Sequence, residues 1–178
     1  IIFFQFKVGD DLLDSSIFLC PNYGPPSGYP CLTEVARGRP QPIHDFYLAL
    51  EKFPLEVRVV ESPLFPLHHI DRYVCWIRIK HELGASLKDT DGFFVALFLS
   101  DFDIVRVALE LYQKENIIVL ASSLHHSVWV HRTKMDPRGW YLAVIECQVV
   151  THGRARLTSH IFDEHKDCVL TVVQEAYF

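Results

Sequence analysis

The hydrophobic pattern divides the chain into a broken N-terminal third and a regular remainder. "IIFFQFKV" at 1–8 is β-branched and aromatic, with Gln5 and Lys7 marking one polar face, and predicts a strand. "PNYGPPSGYPC" at 21–31 and "RGRPQP" at 37–42 bring Pro and Gly at a density that defeats helix and strand alike. Residues 12–43 therefore read as linker or extended loop, and the compact part starts near Phe53. "PLEVRVV" and "DRYVCWIRIK" are strand candidates, the second with Arg72, Arg78 and Lys80 interrupting Val74, Trp76, Ile77 and Ile79. From Asp91 to Asn116 the period changes. Phe94, Phe98, Phe102, Val105, Leu109 and Tyr112 fall at three- and four-residue steps and predict one long helix over 91–113. Thr90 or Asp91 can cap its start, and Lys114 suits its last turn. Its flanks are apolar too (Val95, Leu97, Leu99), so it is expected to be covered on most sides, leaving Asp101 and Asp103 in need of water or a partner. The later runs, 117–120, 124–131, 140–150, 154–163 and 168–177, are all strand-like. Two strands, one long helix and an antiparallel meander read as α+β, a curved antiparallel sheet wrapped around the helix.

Composition narrows the picture. At 178 residues and 49% hydrophobic, the chain can build one good core and is marginal for two. A formal charge of −5 gives no footing for wholesale nucleic-acid binding. The longest apolar run, "FFVALFL" at 93–99, is far short of a membrane span, and no basic segment precedes the apolar start as in a signal peptide. Five cysteines, at 20, 31, 75, 147 and 168, form no C-x-x-C pair, and three sit in apolar runs. They read as reduced structural thiols of an intracellular protein. The P-loop, the dinucleotide fingerprint and the serine elbow are all absent from the sequence.

Four blocks carry a family likeness: "ALFLSDFDIVRVAL" (96–109), "ASSLHHSVWVHR" (121–132), "GWYLAVIECQVVTHGRARL" (139–157) and "LTVVQEAYF" (170–178). In order and spacing they are similar to the C-terminal half of acyl-CoA thioesterase II. The chain thus resembles that double-hotdog family, which includes the peroxisomal acyl-CoA thioesterases. The likeness covers roughly 53–178 and implies that these residues form a hotdog domain. It also implies that 1–52 are the last strand of a first hotdog, "IIFFQFKV", followed by an interdomain linker. The activity it implies is hydrolysis of acyl-CoA to free acid and CoA, without a cofactor and without a covalent intermediate. The location it implies is peroxisomal or cytoplasmic, although no C-terminal peroxisomal signal is visible. A chain with a single hotdog is expected to pair with another hotdog, as a homodimer, because an uncovered sheet edge is a template for pairing.

In that family the attacking water is held by an Asp, a Ser or Thr, and a Gln. By position the resemblance puts these roles on His125, Gln148 and Gln174, of which only Gln174 keeps the family's residue type. An imidazole at 125 can take a proton from water, and the competing reading is an ordinary strand residue at a site where hydrolysis is attenuated. Gln148 can orient water or donate to a carbonyl, but it lacks a hydroxyl. Thr151 has one in the opposite alternation, so only a bulge would bring it inward. Gln174, among Leu170, Val172 and Ala176, serves either a pocket or a structural cross-strand hydrogen bond. Asp101 reads as a brace between helix and strands. A zinc site from His125, His126 and His131 is disfavoured, because His126 faces away from the other two, and these lie roughly 20 Å apart on a strand. Arg132, Lys134 and Arg154, with Arg138 and Arg156 nearby in sequence, are candidates for the CoA phosphates, with a solvated charged surface as the alternative. Two further functions stay open: a non-catalytic acyl-thioester binder, and a hotdog cyclase or isomerase of polyketide-type chemistry.

Overall fold

The computed structural model describes residues 19–39, 41–63, 71–102, 104–114 and 121–178. The strand expected at 1–8 and the one at 117–120 lie outside the described residues. Six strands form one antiparallel sheet: β1 (Leu55–Glu61), β2 (Arg72–Ile79), β3 (Ser122–Val130), β4 (Tyr141–Thr151), β5 (Arg154–Phe162) and β6 (Cys168–Tyr177). Their order across the sheet is β1-β2-β4-β5-β6-β3. The two strands that flank the helices in sequence are thus led to opposite halves, with the meander β4-β5-β6 between them.

The period-2 pattern sets the two faces. Val57, Val59, Tyr73, Cys75, Ile77, Tyr141, Ala143, Ile145, Leu157, Leu170 and Val172 point to an inner core shared with the helices. In β2 and β4 the alternate residues are apolar too. Val74, Trp76, Leu142 and Val144 form a second cluster on the outer face, joined by Phe162 and Cys168. That cluster is roofed by the segment around 20–29: Cys20, Tyr23 and Tyr29 pack on it, and the Trp76 indole donates to the Gly24 carbonyl at 3.2 Å. The same segment closes the β1 edge, where Val59 N–H donates to Pro30 O at 2.9 Å and Cys31 bridges to Arg58. The Pro- and Gly-rich stretch is therefore an ordered strap over apolar surface, from 19 onward.

Residues 31–50 also depart from the expected linker. They build α1 (Leu32–Ala36) and α2 (Gln41–Leu50), and Leu32, Val35, Ala36 and Tyr47 are buried in the main core. The packed body thus begins well before Phe53. A short helix, α3 (His81–Gly84), follows β2.

The expected long helix is two helices, α4 (Gly92–Asp101) and α5 (Arg106–Lys114), parted where Phe102 turns extended at φ −71°, ψ 124°. Its buried face also differs from the expected stripe. Val95, Ala96 and Leu99 face the core, while Phe94 and Phe98 are 69% and 44% exposed. "GFFVALFL" is apolar on every side, so its periodicity has too little contrast to say which side faces in. α5 carries a fully buried Arg106 and Glu110, 4.0 Å apart. The Glu110 carboxylate accepts hydrogen bonds from Tyr47 and Ser62, and the guanidinium lies over the Tyr47 and Tyr73 rings at 4.8 and 5.7 Å. This buried polar knot ties α5 to α2 and to the end of β1.

Candidate active site

A compact polar group forms where α4 ends against β3. Val128 and Val130 are buried, which fixes the phase of β3, and two residues back the same alternation turns His126 inward. The register sets His126 directly opposite Gln174 of β6, on one face of the sheet. A bulge at Leu124 then lets Ser123, opposite Ala176, turn inward as well. Ser100 and Asp101, the last residues of α4, meet His126.

The hydrogen bonds define the protonation of the group. The Gln174 amide N–H donates to Ser123 Oγ at 2.5 Å, which leaves Oε1 facing His126 Nδ1 at 2.6 Å. Nδ1 must then carry the ring proton in the neutral imidazole. Nε2 then holds the lone pair, and Ser100 Oγ, which donates to Leu97 O at 2.7 Å, lies 3.3 Å from it. Asp101 Oδ1 sits 3.7 Å from Nδ1, and its side chain is 69% exposed against 8% for His126. Gln174 and Ser100 are buried. The arrangement is one wet carboxylate held beside an ordered imidazole and amide. Such a carboxylate can take a proton from a bound water while its neighbours fix where that water stands.

The structure brings only one of the three expected catalytic positions, Gln174, into this group. His125 faces the opposite side of the sheet, across from Glu175, and its Nε2 lies 2.6 Å from Ser127 Oγ. A shift of one residue on a strand exchanges faces, and His126 has the inward one. Gln148 is the extra residue of a bulge in β4 and is exposed. That bulge reverses the alternation beyond it and turns Thr151 outward, opposite Arg154, rather than inward. His126, Ser100, Ser123 and Asp101 were missed as a group. The signal that could have found His126 is the Val128–Val130 phase.

The outer face of β3, β6, β5 and β4 holds an open cavity of about 710 Å³, bordered among others by Ser127, Trp129, Arg154 and Arg156 and by two of the expected catalytic positions, His125 and Gln174. The cations expected to gather on CoA phosphates do not share one place. Arg154 pairs with Glu175 at 2.8 Å and stands opposite Tyr177, whereas Arg132 pairs with Asp167 at 2.9 Å beyond the other end of β6. The Cys168–Tyr177 strand between those ends spans about 30 Å at ~3.3 Å per residue. Lys134 is exposed in the loop beside Arg132, and Arg138 is held by Asp89 and by the Leu87 carbonyl. Further along the outer face, His131 Nε2 and His160 Nδ1 lie 2.8 and 3.3 Å from Thr171 Oγ1. Burial holds both imidazoles below the ordinary histidine value. Burial also pushes the Cys147 thiol up to about 11. None of the five cysteines is bridged. Among the described residues no three His, Cys, Asp or Glu side chains converge as a metal ligand set, and no helix is long and apolar enough to cross a membrane.

Residues 33–178 match the family model described as acyl-CoA thioesterase C-terminal domain. No curated protein matches the chain by sequence. Among solved structures it is similar to acyl-CoA thioesterase II TesB2 of Mycobacterium marinum, with 22% identity and a TM-score of 0.67 over 94% of this chain and 58% of that one. The tesB protein of Mycobacterium avium subsp. paratuberculosis aligns with 16% identity and a TM-score of 0.63, over 97% of this chain and 57% of that one. A hypothetical thioesterase from Streptococcus pneumoniae, solved with coenzyme A, aligns with 13% identity and a TM-score of 0.55, over 75% of this chain and 93% of that one. At these identities the likeness is one of fold, the hotdog. The chain spans somewhat more than half the length of the two longer structures.

Proposed function

Since the chain belongs to the acyl-CoA thioesterase family through its C-terminal domain, we propose that it hydrolyses an acyl-CoA thioester to free acid and CoA. The observation that carries the reading is the solvent-facing Asp101 carboxylate, 3.7 Å from a buried imidazole that is itself locked to Gln174.

Hydrolysis of a thioester needs a water stripped of a proton and a donor for the oxygen that gains charge. Asp101 is the base: it takes a proton from water as the water oxygen attacks the thioester carbon. His126 keeps its Nδ1–H on the Gln174 amide and adds a polar contact behind the carboxylate. The Gln174 amide has a second N–H besides the one on Ser123, and the Ser123 hydroxyl has a proton of its own. These two face the developing oxyanion. The carbon–sulfur bond breaks, and the thiolate leaves and is protonated from solvent. No covalent enzyme intermediate is required. The Streptococcus pneumoniae relative with coenzyme A supports a CoA thioester as the substrate class. We place its phosphates away from any joint clamp by Arg132 and Arg154, which lie at opposite ends of β6.

The test is release of free thiol from acyl-CoAs of graded chain length, followed with a thiol reagent. Turnover of at least one acyl-CoA is expected, falling about a hundredfold or more in Gln174→Ala. Saturable acyl-CoA binding without any thiol release would replace the reading with that of a binding protein.

A further inference from the structure

The polar group around Thr171 on the outer face takes no part in the proposed hydrolysis. Thr171 of β6 pairs with His160 of β5 on one side and with Trp129 of β3 on the other, so the three share that face. His131, the residue after β3, is pinned to β6 by its own N–H, which donates to Val169 O at 2.9 Å. Its Nε2 lies 2.8 Å from Thr171 Oγ1, and His160 Nδ1 lies 3.3 Å from the same oxygen. Two imidazoles from different parts of the chain thus converge on one hydroxyl, their nitrogens no farther apart than those two distances laid end to end. Neither histidine, nor Thr171, borders the cavity.

A threonine hydroxyl has one proton, so it accepts from at least one of the two rings. Moving the ring protons to the remote nitrogens turns both lone pairs toward the space beside Oγ1. Burial holds both imidazoles below the ordinary histidine value, so they are neutral at pH 7 and the lone pairs are available. Two metal–nitrogen bonds of about 2.0 Å need the rings to close in, and His131, exposed at the end of β3, has room to do so. The donor set selects the ion. Two imidazoles with solvent suit the tetragonal nitrogen and oxygen sphere of Ni(II) or Cu(II). Mg(II) and Ca(II) want oxygen ligands, and a closed zinc site wants four protein ligands. Cys168 Sγ is 4.0 Å from Thr171 Oγ1, but burial raises its pKa and keeps it a neutral thiol, so it is not a third ligand.

We propose that His131 Nε2 and His160 Nδ1 bind a divalent transition-metal ion of the Ni(II) or Cu(II) type, with water completing its coordination. The ion then clasps the end of β3 to β5 across β6. The inference goes beyond the proposed hydrolysis and does not depend on it, because binding is read without turnover.

Titration calorimetry of the full, untagged chain with Ni(II) tests it. Ni(II) is the probe because Cu(II) oxidises thiols and the chain has five unbridged cysteines. One saturable site is expected, weakened about tenfold or more in His131→Gln and in His160→Gln. His165→Gln, in the exposed turn after β5, should leave it unchanged. Ni(II) should raise the midpoint of thermal unfolding in the parent and not in His160→Gln, and Mg(II) should do neither. Absence of a saturable site, unaltered affinity in His131→Gln or His160→Gln, or an equal response to Mg(II) would each overturn it. So would a thermal shift that persists in His160→Gln, or loss of binding in His165→Gln, which would place the ion on other histidines. His131 is exposed, so its replacement leaves the fold intact and the test decisive even where His160→Gln is destabilised.

Discussion

A buried glutamine has to satisfy four hydrogen-bonding positions, and Gln174 does most of this through two neighbours. Its carbonyl meets the His126 ring and its amide meets Ser123. Gln174→Ala leaves both without their partner, one of them buried. Beyond the loss of activity, the variant should therefore unfold about 1–3 kcal/mol more easily in urea. Asp101, largely in water, should behave in the opposite way: Asp101→Asn is expected within about 0.5 kcal/mol of the parent in the same denaturation. Equal destabilisation by the two would mean that Asp101 is a structural brace, as the sequence alone suggests. At this scale the sequence was half legible. Gln174 stood out because an amide amid Leu170, Val172 and Ala176 needs a reason. His126 did not, because positional likeness drew attention to its neighbour, while the face it occupies depends on the phase of Val128 and Val130. Ser100 and Asp101 join the group only through the end point of α4, which no local pattern fixes.

Strands were easier to read than helices. Their β-branched and aromatic runs, bounded by turn residues, locate all six to within a few residues. The bulges at 124 and 148 were not legible, because a bulge is set by how two strands pair and not by either one alone. Helical order in 31–50 was hidden by nearby Pro and Gly, although Leu32, Val35, Ala36 and Tyr47 supply the core contacts. The start of α4 has a hard constraint of its own. A Cβ on Gly92 would sit 1.8 Å from the Met135 carbonyl oxygen, so the helix can approach the 131–136 loop only with glycine there. Gly92→Ala should destabilise by about 1–3 kcal/mol or more, as overpacking does, measured by thermal or urea unfolding. A neutral or stabilising result, which helix propensity alone would give, would remove that contact from the account. Tyr47→Phe should cost a similar amount, about 1–3 kcal/mol, by taking a donor from the buried Glu110 carboxylate that joins α2 to α5.

For the molecule as a whole, acid is expected to loosen the fold. Burial, opposed by Glu146 and aided by His131, lowers the His160 pKa below its unfolded value of about 6.5. The folded state therefore binds fewer protons than the unfolded one as pH falls through that value. The stabilisation is complete above about pH 6.5 and is lost on acidification, with a slope of at most about 1.4 kcal/mol per pH unit for one imidazole. His160→Gln should flatten the slope of unfolding free energy between pH 7 and 5, and an unchanged slope would exclude this origin. Assembly belongs to the same scale. Among the described residues β3 pairs on one side only, Leu124 on it is exposed, and Phe94 and Phe98 stand out from α4, while the opposite edge is closed by the 30–31 segment. We expect two copies to associate through that open side, giving a dimer in sedimentation at micromolar concentration and a monomer in Phe98→Glu. The hotdog was legible from element order and the four sequence blocks together, whereas the face on which His126 meets Asp101 was not. The measurement that bears on this most directly is kcat/KM for acyl-CoA hydrolysis in the parent, Asp101→Asn and His125→Ala. The account predicts a loss of about a hundredfold or more in Asp101→Asn and a change of no more than about threefold in His125→Ala. A full loss in His125→Ala with Asp101→Asn unaffected would place the reaction on the outer face and contradict it.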